Sequence, residues 1–204
     1  MSTLSTTNLK NPSSGSNNIV LAADGSATIT TLTGTTITGT SVRGGITVGT
    51  AVASTSGTSI DFTGIPSWVK RVTVMYSGIS TNGTSSIILQ IGDSGGVETS
   101  GYNGAVARLP NTNLVEALNF SVGMNIIYTV TAAGEFSGQA VFTLLNASTN
   151  LWAFSSASGS TQNAIAYSSG GDKALSATLD RVRITTVNGT DTFDAGSINI
   201  LYEG

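Results

Sequence analysis

Eleven carboxylates, eight Lys and Arg side chains and no histidine or cysteine bound the chemistry open to this 204-residue chain. Without histidine, the commonest general base, metal ligand and pH switch are all missing. Ser-His-Asp and Cys-His mechanisms cannot be assembled within the chain. Without cysteine there are no disulfides, thiolate nucleophiles or Cys-based metal sites. Carboxylate pairs remain, and a glycosidase needs two of them facing across a cleft. Asp191 and Asp194 are close in sequence, but residues 188–194 read as a hairpin turn. There Asp and Asn support the backbone. The same loop lacks the Asp-x-Asp-x-Asp-Gly spacing that holds calcium. Gly92-Asp93-Ser94-Gly95-Gly96 follows a strand, yet it has no Lys and leads into no helix, so it is a plain loop rather than a phosphate cradle. The chain is therefore read as a non-enzyme with no cofactor and no metal.

Binding chemistry rests with the aromatics. Tyr102 and Tyr167 adjoin Gly/Ser loops, and Trp152 sits on a short strand between polar loops. These three are candidate receptor contacts, since aromatic faces stack on sugars and anchor interfaces. Core packing fits them equally. Trp68 follows the Pro66 turn at a strand start and is expected in the core. The net charge of −3 offers nothing to a phosphate backbone, so nucleic acid is not an expected partner. No basic amphipathic stretch suits a membrane surface, and no apolar run is long enough to span one. Met1-Ser2-Thr3-Leu4 begins no basic-then-apolar leader, so no signal peptide is expected.

The elements that must position these residues are unevenly distributed. All 2 Trp, 5 Tyr and 6 Phe fall at or after Phe62. Charged residues make up 9%, against roughly 25% in an average soluble domain. A surface with so few charges suits assembled β proteins. Residues 1–25 read as an extended polar attachment arm ending in a small hairpin across Asp24-Gly25. Residues 26–57 are rich in Thr and punctuated by Gly. Their sparse apolar residues, Ile29, Leu32, Ile37, Val42, Ile46 and Val48, cannot form a core alone. Three copies wound about one axis would bury them, giving an intertwined trimeric β shaft; a flexible Ser/Thr/Gly linker is the competing reading.

From residue 58 to 204 the pattern is of alternating strands separated by turns every 8–15 residues. The expected fold is all-β, an antiparallel β-sandwich of jelly-roll-like type. Strands are expected over 120–130, 136–145, 162–167 and 195–202, among others. Gly101 to Pro110 reads as a loop with a short strand, and Ser168-Ser169-Gly170-Gly171-Asp172 as a loop. Asn113-Leu114-Val115-Glu116 has capping-box spacing for a helix of one or two turns.

Residues 59–76, from Ser59-Ile60-Asp61-Phe62 through Ile65-Pro66-Ser67-Trp68 to Val74-Met75-Tyr76, carry a resemblance, as do Leu89 to Gly96, Leu179 to Ile184 and Ser197 to Glu203. They resemble a module of tail-fibre and other virion structural proteins of tailed bacteriophages, particularly marine phages of cyanobacteria. The stretch from Leu9-Lys10 to Thr31 is similar to the start regions of such proteins. The resemblance implies a virion protein, homotrimeric, with an N-terminal attachment part and a distal β domain. The expected function is thus a phage fibre whose residues 1–25 dock on a tail or capsid protein. Its C-terminal β domain would contact the host surface, with glycan as the partner. The alternative is a structural decoration or adaptor of capsid or tail that binds no receptor. Either reading locates the chain on the exposed surface of the particle.

Overall fold

The computed structural model describes residues 8–9, 13, 19–21, 27–29 and 45–204, the last span except 113, 114, 129, 130, 133, 161 and 163. The chain divides into two compact units, 1–43 and 44–204. In the first, β1 (Asn8–Leu9), β2 (Ile19–Leu21) and β3 (Ala27–Ile29) form an antiparallel three-stranded sheet. Val20 pairs with Thr28, so β2 and β3 are antiparallel neighbours; the turn expected at Asp24-Gly25 lies outside the described residues. Ile29 lies in β3, while Leu32, Ile37 and Val42 of the expected shaft lie outside the described residues.

The second unit is all-β and antiparallel. Its strands are β4 (Thr47–Val48), β5 (Val52–Ala53), β6 (Ser59–Thr63), β7 (Arg71–Thr81), β8 (Ile87–Asp93), β9 (Gly96–Val97) and β10 (Tyr102–Pro110). There follow β11 (Glu116–Phe120), β12 (Met124–Ile127), β13 (Phe136–Asn146), β14 (Leu151–Ser160), β15 (Ile165–Ala174), β16 (Arg181–Thr186) and β17 (Phe193–Glu203). The larger sheet has the order β11-β10-β15-β14-β13-β7-β17-β4, with β5 also on β17. The smaller has the order β12-β8-β16-β6, with β9 on β8.

The two sheets pack as a sandwich because each presents an alternating apolar face. Val72, Val74 and Tyr76 of β7, Ala140 and Phe142 of β13, and Ile198 and Ile200 of β17 are buried from the larger sheet. Ile87, Leu89 and Ile91 of β8 and Val182 and Ile184 of β16 meet them from the smaller. Burying each such side chain contributes roughly 1.5–3 kcal/mol. Phe154 anchors an aromatic cluster, 5.2 Å from Phe142 and edge-on to Phe120 at 6.4 Å between ring centroids.

Several expectations need correction. The second unit begins at 44, so residues 44–57 belong to the β body rather than to a separate shaft. Backbone bonding is the reason: Gly49 N–H donates to the Ile200 carbonyl at 2.8 Å, and β4 and β5 extend the larger sheet along β17. Ile46 and Val48 are consequently exposed on its edge, at 63% and 61%. Consecutive β13, β14 and β15 lie side by side as a meander, which is not the strand order of a jelly roll's two Greek keys. Glu116 opens a strand, not a helix, and Ser121–Gly123 breaks the single strand expected over 120–130. Tyr102 to Pro110 and residues 168–172, read as largely loop, are strand, and the second of these pairs on both sides.

Candidate functional site

The pairing registers determine where each side chain projects. One transverse row of the larger sheet is Tyr102–Lys173–Trp152–Leu144; another contains Tyr167, Ser158 and Tyr76. Both rows face the smaller sheet. Tyr102, Trp152 and Tyr167 are therefore each only 2% exposed. This corrects their assignment as receptor contacts: no ligand reaches them without opening the core. Tyr102 accepts from Ile91 N–H at 2.9 Å and donates to the Glu98 carbonyl at 2.7 Å, and so ties the two sheets together. Tyr167 packs edge-on against Phe136 at 5.9 Å. Trp68 departs from expectation in the opposite sense. It is 43% exposed and leans on Tyr202, its ring against Gly45.

Lys173, 5% exposed, pairs with the Glu98 carboxylate and lies 5.4 Å from the Tyr102 ring centroid. Glu98 also accepts from Ser176 N–H at 2.7 Å. Burial pushes the Glu98 carboxyl up, but the Lys173 ion pair and the Ser176 bonds outweigh it and hold the group below its usual range. Next to it, the Ser176 hydroxyl and Gly95 N–H hold Asp93 below its usual range. Both carboxylates here are engaged with the protein, while the buried Trp152 Nε1, on the residue paired with Lys173, has no hydrogen-bond partner among the described residues. This cluster clamps the β9–β10 loop to the end of β15 and leaves nothing for a ligand.

The smaller sheet's outer face is different. Its register aligns Asp61, Arg183 and Gln90 in one row across β6, β16 and β8, and Ser59, Thr185 and Ile88 in the next. All of these but Asp61 line a groove of about 440 Å³, with Val122, Val187 and Asn188 also on its wall. Arg183 holds Asp61 in a two-point fork, Nε to Oδ1 at 2.6 Å and Nη2 to Oδ2 at 2.8 Å. The bond to Asp61 raises the Arg183 pKa further, so the pair carries no net charge. Arg183 Nη1 makes no further bond among the described residues. Gln90 is 6% exposed and donates Nε2–H to the Val122 carbonyl at 2.8 Å. Its Oε1 accepts nothing from the described residues. The groove thus presents an open donor and an open acceptor, with hydroxyls beside them and short apolar patches between.

Such a surface can hydrogen-bond a neutral, hydroxyl-rich molecule. Its carboxylate is committed to Arg183, and among the described residues no three His, Cys, Asp or Glu side chains converge. Reasoning from sequence passed over Asp61, Arg183 and Gln90. The signal was present in β16, where Arg181, Arg183 and Thr185 alternate with buried Val182 and Ile184. An outward Arg is notable in a chain with only eight cations. Compared with protein-family models, with curated proteins and with solved structures, the chain matches none.

Proposed function

We propose that this chain is a homotrimeric fibre protein of a tailed-phage virion, fixed to a tail or capsid protein through its N-terminal arm, residues 1–25. Its C-terminal β body contacts the host surface, and the groove lined by Arg183 and Gln90 takes a neutral stretch of surface glycan. The observation that carries the reading is the nearly buried Gln90, whose Oε1 has no partner among the described residues, beside the charge-compensated Arg183 fork in one groove. Planar amide and guanidinium groups with hydroxyls around them suit sugar hydroxyls, and a compensated charge spares the ligand from having to be acidic. The resemblance of residues 59–76 and 179–203 to phage fibre modules supplies the virion context.

The test uses the full chain with lipopolysaccharide extracted from marine cyanobacterial cells. The expected result is saturable binding that Arg183→Ala and Gln90→Ala each weaken about tenfold, equivalent to about 1.4 kcal/mol. No binding, or binding that both variants leave unchanged, would overturn the assignment of the groove.

A further inference from the structure

Two open groups in the groove stand side by side. Arg183 and Gln90 are direct cross-strand partners, and the side chains of such a pair start about 4.5–5.5 Å apart. A carbonyl only accepts, so the bond to the Val122 carbonyl fixes Gln90 Nε2 on that side and leaves Oε1 as the free end. Gln90 is only 6% exposed, and a nearly buried acceptor left without a donor is costly. A ligand that supplies the donor therefore gains more here than at an exposed amide. Arg183 grips Asp61 side-on through Nε and Nη2. Nη1 is left on the opposite edge of the guanidinium, and β8 with Gln90 lies on that side of β16.

Apolar surface adjoins this pair. Val122, whose carbonyl holds the Gln90 amide, is 41% exposed, and Ile88 flanks Gln90 on the same face of β8. Among the described residues no aromatic ring lines the groove, so no sugar is held here by stacking its ring face. Recognition falls instead on a substituent of the sugar.

We infer that the groove selects an N-acetylated amino sugar, its amide bridging Gln90 and Arg183 and its methyl resting on Val122. The inference rests on the groove reading above and names the sugar class. An acetamido group carries one N–H, one C=O and one methyl, the complements of Gln90 Oε1, Arg183 Nη1 and Val122. A secondary amide is planar and trans, so its N–H and C=O point to opposite sides and reach two neighbours on adjacent strands. The group is neutral, which suits a guanidinium already compensated by Asp61. A plain hexose offers hydroxyls to both open groups but leaves Val122 bare. A free hexosamine brings a cation to a groove whose nearest carboxylate is taken. A volume of about 440 Å³ lies within the roughly 300–1,000 Å³ usual for small-ligand sites. An extended peptide carries the same amide but repeats it at every residue, whereas the groove offers one such pair.

The experiment titrates the full chain by saturation-transfer NMR with N-acetylglucosamine and N-acetylgalactosamine, each beside its parent hexose and its free hexosamine. At least one N-acetyl sugar is expected to bind at least tenfold more tightly than its hexose and its amine, with the acetyl methyl receiving the strongest transfer. Gln90→Met keeps the volume, removes the acceptor and is expected to abolish the preference. Val122→Thr replaces one methyl by a hydroxyl at an exposed position, where folding is not at stake, and is expected to reduce the preference about threefold. N-acetylglycine methylamide is the peptide control and is expected not to bind. No preference for an N-acetyl sugar, a preference that both variants leave intact, or a peptide amide bound as tightly as the sugar would overturn the inference. Lipopolysaccharide held through Arg183 and Gln90 but not displaced by either N-acetyl sugar would also overturn it, while leaving the groove assignment standing. N-acetyl sugars bound through Gln90 by a chain that ignores lipopolysaccharide would support the inference and overturn the host-surface reading.

Discussion

Tyr76 donates its hydroxyl to Ser158, which passes a bond on to the Ile126 carbonyl of the facing sheet. Burial, only partly offset by the Ser158 bond, pushes its phenol up to about 12. Tyr102 and Tyr167 are raised too, again first by burial. A folded pKa above the unfolded value of about 10 stabilises the fold below that pH, and the contribution is lost as pH climbs through the folded value. For Tyr76 the stability lost on going from below the unfolded value to above the folded one amounts to roughly 2–3 kcal/mol. Titration of the full chain at 295 nm should therefore show a tyrosine step displaced well above pH 10 that coincides with loss of β circular dichroism. Tyr76→Phe should diminish that step. Complete ionisation at ordinary tyrosine pH with the β signal intact would contradict the buried placement of these rings. At the same scale, the Asp61–Arg183 fork and Gln90 do the opposite work, keeping polar groups turned outward and one bond short.

The seam between β7 and β17 sets the geometry of the larger sheet. Its register slips between Ala195 and Ser197, opposite Gly78. Gly196 and Gly78 both sit at positive φ, 91° and 61°, and a Cβ on Gly196 would lie 2.5 Å from the Gly78 carbonyl. Gly196→Ala should cost at least about 1–3 kcal/mol, read as a lower urea midpoint with an unchanged slope. An unaltered midpoint would show that the seam can open without cost. Strands with large apolar residues on alternate positions, such as β7 and β17, were readable from sequence because their buried face is written in Val, Ile and Tyr. β10, β14 and β15 were not. Ser168 to Asp172 and Ser155 to Ser160 look like loop because their outward positions are Ala, Ser, Gly and Asp, and their inward positions are Ser apart from Gly171. What holds them is pairing on both sides, a non-local property that local composition does not record. The groove was hidden for the same reason: Asp61, Gln90 and Arg183 lie on three strands, and only the register makes them neighbours.

At the scale of the whole molecule, the low charge density and the aromatic-free first third point the same way. Val48, expected to need sister chains for burial, is indeed left exposed by its own chain, but on the edge of the β body rather than in a separate shaft. An assembly of chains with so few charges rests on few ion pairs, so it should tolerate salt that screens surface charges to a few ångströms. The most direct measurement of the central claim is sedimentation equilibrium of the full chain at micromolar concentration, in low and in high salt. The account predicts three times the chain mass in both. A single-chain mass in either would contradict it.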